Sequence, residues 1–174
     1  MGFAGWFDEW DRLDMLVSLV GKLRKKDLDV KALLIGDGAV LAEIRRRVKA
    51  EKLEDAFIFT GPVKRQEIYD YLSLLDIAVI SHSNNFGSPV VMFEFMALKI
   101  PIVAAAVPPI CDVLTNAETG CLFEPLNEAA YEQCLAALLE NPGQAKLLAE
   151  NAFRLVTSKN TWENNARTII EAIG

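Results

Sequence analysis

The residues best suited to chemistry lie in one short stretch, Phe86-Gly87-Ser88-Pro89-Val90-Val91-Met92-Phe93-Glu94-Phe95-Met96-Ala97. Ser88 followed by Pro89 predicts a helix start: a hydroxyl N-cap, then proline at the first helical position, where its missing N–H costs nothing. Gly87, just before, lets backbone approach a ligand with no side chain in the way. The helix predicted over 89–98 is apolar on every side except at Glu94, and is therefore expected to be buried. A carboxylate in such a helix must find donors, because burying it unpaired costs several kcal/mol. The free N–H groups of a helix N-terminus form an anion seat. This stretch thus offers a phosphate seat and, about one and a half turns on, a carboxylate able to take two sugar hydroxyls. The alternative is a structural carboxylate paired with a distant Arg, Lys or backbone N–H.

Composition narrows the chemistry further. With 174 residues, 52% of them hydrophobic, the chain can bury a full core as a single domain spanning 1–174. No apolar run approaches the roughly 20 residues of a membrane span, and no leader with a small-residue cleavage site is visible. A net charge of −6 argues against a nucleic-acid partner. The basic clusters at Arg45-Arg46-Arg47 and around Lys22 read as solvated helix faces. One histidine rules out a multi-histidine metal centre, and no metal cofactor is expected. Cys111, Cys121 and Cys134 are odd in number and set among apolar residues. They are expected to be reduced core thiols in a cytoplasmic protein.

The elements that must position the stretch alternate. Strands are predicted over 1–6, 30–35, 56–59, 77–80, 102–105 and 120–123, with helices over 8–26, 39–52, 64–74 and 89–98 between them and a helical turn over 108–114. Three further helices, 128–139, 143–156 and 162–173, follow without a strand. Almost wholly apolar strands alternating with helices mean a parallel sheet covered on both faces. The expected fold is therefore α/β, a doubly wound Rossmann-like sheet of about six strands with a helical C-terminal tail. Ligands in such folds sit beyond the carboxyl ends of the strands, at the loops after Gly5, Ile35, Phe59, Ile80 and Ala105. Gly36-Asp37-Gly38 lacks the third glycine of a dinucleotide fingerprint and follows the second strand, so Asp37 reads as a turn residue.

The ordered set Leu33-Leu34-Ile35-Gly36-Asp37-Gly38, Phe59-Thr60-Gly61, the helix and strand between Tyr71 and Val79, Gly87-Ser88-Pro89 to Met96-Ala97, Pro101-Ile102-Val103-Ala104 and Gly120-Cys121-Leu122-Phe123 resembles the C-terminal half of retaining glycosyltransferases of the GT-B fold, the glycogen-synthase-like group. The likeness runs from Gly2 to the tail helix carrying Trp162. It implies a donor domain for a nucleoside-diphosphate sugar, one half of a GT-B fold, whose acceptor domain is a separate N-terminal half absent from this chain. The implied activity is a hexosyltransferase of polysaccharide biosynthesis. Its acceptor would be a saccharide or lipid-linked saccharide held by the missing domain, with peripheral membrane association open to the full-length protein. The isolated chain would then be inactive, and the resemblance assigns it no catalytic residue.

Position by position, the resemblance implies that Glu94 holds the ribose hydroxyls. Gly87, Ser88, Pro89 and Val90 would lie near the diphosphate and sugar, and Gly61, Pro62 and Val63 at the edge where the base rests. The first acid of the family's glutamate pair is replaced by Phe86. The basic residues that neutralise the diphosphate fall at Trp6 and Asp11, with Arg12 next to the second as a substitute. Trp6 could stack on a base or a partner domain, or be a core-edge residue, and His82 is a sugar or phosphate contact or an ordinary loop residue. Two other classes remain open at this point. One is a degenerate nucleotide-sugar-binding module without catalysis; the other is a different Rossmann-like enzyme, such as a dehydrogenase or an epimerase.

Overall fold

The computed structural model describes residues 1–86 and 89–173. Gly87 and Ser88, expected at the phosphate seat, lie outside the described residues. Six strands form one sheet among those described: β1 (Gly2–Trp6), β2 (Ala32–Asp37), β3 (Phe57–Phe59), β4 (Ala78–Ile80), β5 (Ile102–Ala105) and β6 (Cys121–Phe123). They are ordered β3-β2-β1-β4-β5-β6 and every neighbouring pair is parallel. This is the doubly wound arrangement expected, with its reversal of strand order between β1 and β4. The strands are apolar because they are covered on both sides: Ala78, Val79 and Ile80 of β4 and all four residues of β5 are buried.

The helices are α1 (Leu13–Arg24), α2 (Leu41–Ala50), α3 (Ile68–Leu72), α4 (Val90–Ala97), α5 (Pro108–Cys111), α6 (Glu128–Glu140), α7 (Pro142–Ser158) and α8 (Trp162–Ile173). Helix α1 touches α2 and α6, whereas α4 packs on α7 and β5. Helix α6 is locked to the sheet by Tyr131, whose ring stacks on Phe123 with centroids 4.4 Å apart. Burial pushes the Tyr131 phenol well above its ordinary pKa, and its hydroxyl hydrogen-bonds Ser81 Oγ at 3.0 Å. Helix α8 contributes no buried residue.

Three expectations are corrected. The first helix was expected from residue 8, but 9–11 form a 3-10 turn and α1 begins at Leu13. The Asp8 N–H donates to Asp11 Oδ2 at 2.8 Å, and Arg12 takes a left-handed φ of 49°, which breaks the helical path. Pro89 is not the first helical residue: its extended backbone (φ −60°, ψ 121°) makes it the N-cap of α4. Helix α4 is also not buried all round. Met92, Phe95 and Met96 face the core, but Val90 is 74% exposed.

The cysteines differ too. Cys121 of β6 and Cys134 of α6 form a disulfide with Cα atoms 5.8 Å apart, and Cys111 is exposed rather than in the core. Sequence order hid the pair, since only the return of α6 onto β6 brings them together. Without reductant, the denatured chain should therefore titrate one thiol, that of Cys111, and three after reduction. Three thiols before reduction would mean that the bridge does not form. Tyr131→Phe should destabilise the fold by about 1 kcal/mol, since Ser81 Oγ loses its partner in a buried place; denaturant unfolding measures this.

Candidate functional site

Where the strand order reverses, the carboxyl ends of β1 and β4 diverge around a cavity of about 490 Å³. Its floor is Phe3, Ala4, Gly5 and Trp6 of β1 with Ile80 of β4. The 3-10 turn supplies Trp10 and Asp11, the loop after β4 supplies Ser83, Asn84 and Phe86, and α4 supplies Val90, Val91 and Glu94, with Pro89 and Ile68 completing the rim.

Close backbone contact sets this geometry. A Cβ on Gly38 would lie 2.2 Å from Phe7 N, and one on Gly36 2.0 Å from Gly5 O, so only glycine allows the turn after β2 to press on the end of β1. Across that contact the Phe7 N–H donates to Asp37 O at 2.8 Å and the Val40 N–H to Phe7 O at 3.2 Å. Asp37 Oδ1 accepts from Gly38 N, so Asp37 is the turn residue expected. The loop after β4 is shaped by Asn84 Oδ1, which accepts the Phe86 N–H at 3.0 Å. His82 Nδ1 lies 3.1 Å from Trp10 O, a loop-fastening role.

The site residues expected from sequence separate into two groups. Glu94, Pro89, Val90, Trp6 and Phe86 converge on the crevice, together with Asp11. No side-chain hydrogen bond or ion pair ties the half-buried Glu94 carboxylate to another described residue, against the structural alternative of a distant cationic partner. Gly61, Pro62 and Val63 do not line the crevice. They follow β3, two strands from β1, where Gly61 takes a φ of 69° and bridges to Gly36. Arg12 does not reach the crevice either. Its guanidinium forks onto both carboxylate oxygens of Asp14 at 2.8 Å, in a separate depression with Glu43 and Arg47, and holds the Asp14 carboxyl below its ordinary range.

Trp10, Ser83 and Asn84 line the crevice without having been expected there from sequence. Trp10 had been placed inside a helix; its spacing of four from Trp6 was the available signal. The crevice is markedly aromatic: Trp6 is 65% exposed, Trp10 44% and Phe86 82%, with Trp10 and Phe86 meeting edge to face at 6.2 Å. No Lys, Arg or His side chain is among its lining residues.

Asp11 is only 8% exposed. Burial raises its pKa from 3.8 to about 6, against the lowering effect of the Asp8 N–H. Because the folded value is the higher one, the native state holds the extra proton between the two values. Stability is therefore lost as pH rises from about 4 to 6, and the cost is fully present at pH 7. Asp11→Asn should stabilise the domain at pH 7 by no more than about 3 kcal/mol, a gain that vanishes below about pH 4. Urea unfolding at the two pH values tests this, and an equal effect at both would place the cost elsewhere.

The fold is that of a Rossmann-like domain with a crevice at its topological switch point, matching one half of GT-B glycosyltransferases. The chain belongs to the family Glycosyl transferases group 1, whose model matches residues 1–155. It is 24% identical over 148 residues to the alpha-D-kanosaminyltransferase of Streptomyces kanamyceticus, covering 84% of this chain and 38% of that protein. The fold superposes on HepE of Anabaena in complex with UDP with a TM-score of 0.88 at 18% identity, over 99% of this chain and 47% of that one. It also matches the C-terminal domain of a group 1 glycosyl transferase, LpcC, from Francisella tularensis, with a TM-score of 0.81 at 25% identity, covering 92% and 86% of the two chains. The chain spans between 25% and 42% of the length of the curated relatives it matches.

Proposed function

We propose that this chain is the donor-binding half of a hexosyltransferase-type glycosyltransferase, holding a nucleoside-diphosphate sugar in the crevice between β1 and β4. One observation carries the reading: in a group 1 glycosyltransferase fold, the switch-point crevice contains a half-buried carboxylate, Glu94, with no partner among the described residues. In this reading Glu94 accepts two ribose hydroxyls, and the N–H groups of Val90 and Val91 face the diphosphate at the start of α4. The base reaches past the crevice toward Gly61, Pro62 and Val63, which lie outside its lining. Pro89 borders the approach to the sugar. The acceptor, a saccharide or lipid-linked saccharide of a polysaccharide pathway, is presented by a separate N-terminal domain. Catalysis is then mostly positioning, with helix N–H groups receiving the departing diphosphate.

No metal enters this reading. Among the described residues no helix is long and apolar enough to cross a membrane, and any membrane association belongs to the full-length protein and is peripheral. A cytoplasmic site of action is part of the proposal, and the thiol count above bears on it because disulfides are rare there. A second reading, a nucleotide-sugar-binding module without catalysis, is favoured by Asp11 and Phe86 standing where cation and acid are expected.

Titrating the folded chain with UDP-, GDP- and ADP-sugars tests the proposal. Without a cation in the crevice, binding of a nucleotide with an uncharged sugar should be weak, around millimolar, near −4 kcal/mol. Glu94→Ala should cost about 1–3 kcal/mol of that affinity, the value of charge-assisted bonds to ribose. Unchanged affinity in the folded variant would remove Glu94 from the site. The chain alone should transfer no sugar; robust transfer would show that no second domain is needed.

A further inference from the structure

The crevice has a charge problem that the donor reading leaves unsolved. A diphosphate brings about two negative charges, and burying charge without compensation is costly. The lining offers no cationic side chain to meet them. Arg12 is committed to Asp14, His82 is turned to the Trp10 carbonyl, and Lys64 and Arg65 are exposed outside the lining. The start of α4 adds only the partial charge of its N–H groups. Asp11 adds a third negative charge, from a residue almost removed from solvent. Three aromatic residues, Trp6, Trp10 and Phe86, line the same crevice and are exposed.

A buried carboxylate with exposed tryptophans suits an organic cation: the carboxylate provides the charge partner and the indoles provide cation–π attraction. The missing positive charge can then arrive with the ligand. Resting on the donor reading, we infer that the sugar held in this crevice carries a free primary amine, whose ammonium sits between Asp11 and the diphosphate against Trp6 and Trp10. The ammonium offsets the carboxylate and the phosphates at once, and the apolar face of the sugar ring covers the aromatic wall. Ser83 and Asn84 also line the crevice, with Asn84 Oδ1 already engaged by the Phe86 N–H. Glu94 remains free for the ribose, so the two acids of the crevice have different tasks. Specificity follows from what happens without the amine. A sugar bearing a hydroxyl or an acetamide at the same position leaves Asp11 facing phosphate with nothing between them.

The experiment compares UDP-glucosamine, UDP-N-acetylglucosamine, UDP and free glucosamine by calorimetric titration of the chain at pH 7. UDP-glucosamine should bind at least tenfold more tightly than UDP-N-acetylglucosamine, and more tightly than UDP or glucosamine alone. Asp11→Asn, which should fold at least as well as the wild type, should reduce that ratio to below threefold. Trp10→Leu, which keeps an apolar side chain but removes the ring, should reduce it several-fold. Equal affinity for the two sugar nucleotides in the wild type overturns the inference and leaves the donor reading standing. Binding of glucosamine with no gain from the nucleotide keeps an amine site but overturns its place beside a diphosphate. Binding of none of the four overturns the inference for a uridine donor, and the titration with GDP- and ADP-sugars then decides the donor reading on its own.

Discussion

The contact on which the site depends is the backbone-to-backbone approach between the end of β1 and the turn after β2. Gly36 and Gly38 have no Cβ, and the space a Cβ would need is filled by Gly5 O and by the backbone of Phe7. The two hydrogen bonds of Phe7 across this contact fix where the chain goes on leaving the sheet. It then turns through residues 9–11 and delivers Trp10 and Asp11 to one wall of the crevice. Helix α4 supplies the other wall. Two glycines, one at the end of β2 and one in the turn after it, thus set the course of the chain that carries the crevice wall. A methyl at either position would force β1 and β2 apart, with a cost paid in both core and site.

Much of this was legible from residue order. The apolar strands, their alternation with helices and the parallel sheet follow from period and length, and all six strands lie near their expected places. So does Glu94, since an acid within an apolar helix that starts at a strand end is conspicuous by itself. The rest depended on events that periodicity does not encode. Residues 8–12 have helical composition, yet the Asp11 carboxylate captures the Asp8 N–H and Arg12 turns left-handed, so Trp10 becomes a wall residue instead of a helix residue. Pro89 marked a helix start correctly but one position early, because its extended ψ excludes it from the first turn. The cysteine pair was invisible because thirteen residues separate its members and only tertiary packing closes the gap. Arg12 was a reasonable stand-in for a phosphate ligand by sequence position. Its left-handed backbone directs it to Asp14 instead.

Electrostatics and packing are hard to separate in this crevice. Asp11 is held by a backbone N–H and by burial, which act on its proton in opposite directions, and burial is the stronger. A domain that tolerates such a group gives up stability near neutral pH. Destabilised charges of this kind concentrate where ligands bind, since the ligand can return the lost interaction. Arg12 and Asp14, one and three residues further on, show the ordinary surface solution: a forked pair, partly exposed and mutually satisfied. Opposite arrangements within four residues mark the 3-10 turn as the boundary between surface and site.

The order of the sheet has a consequence for the chain's behaviour in concentrated solution. Its two outermost strands, β3 and β6, have three residues each, and the longer strands β1 and β2 lie inside. Unpaired strand edges are templates for adding another chain, and short edges are one way in which proteins deny that template. The bridge from Cys121 to Cys134 also fastens a helix to β6. This domain therefore has little open edge from which cross-chain β-pairing could grow, and would resist ordered aggregation even while its crevice is empty.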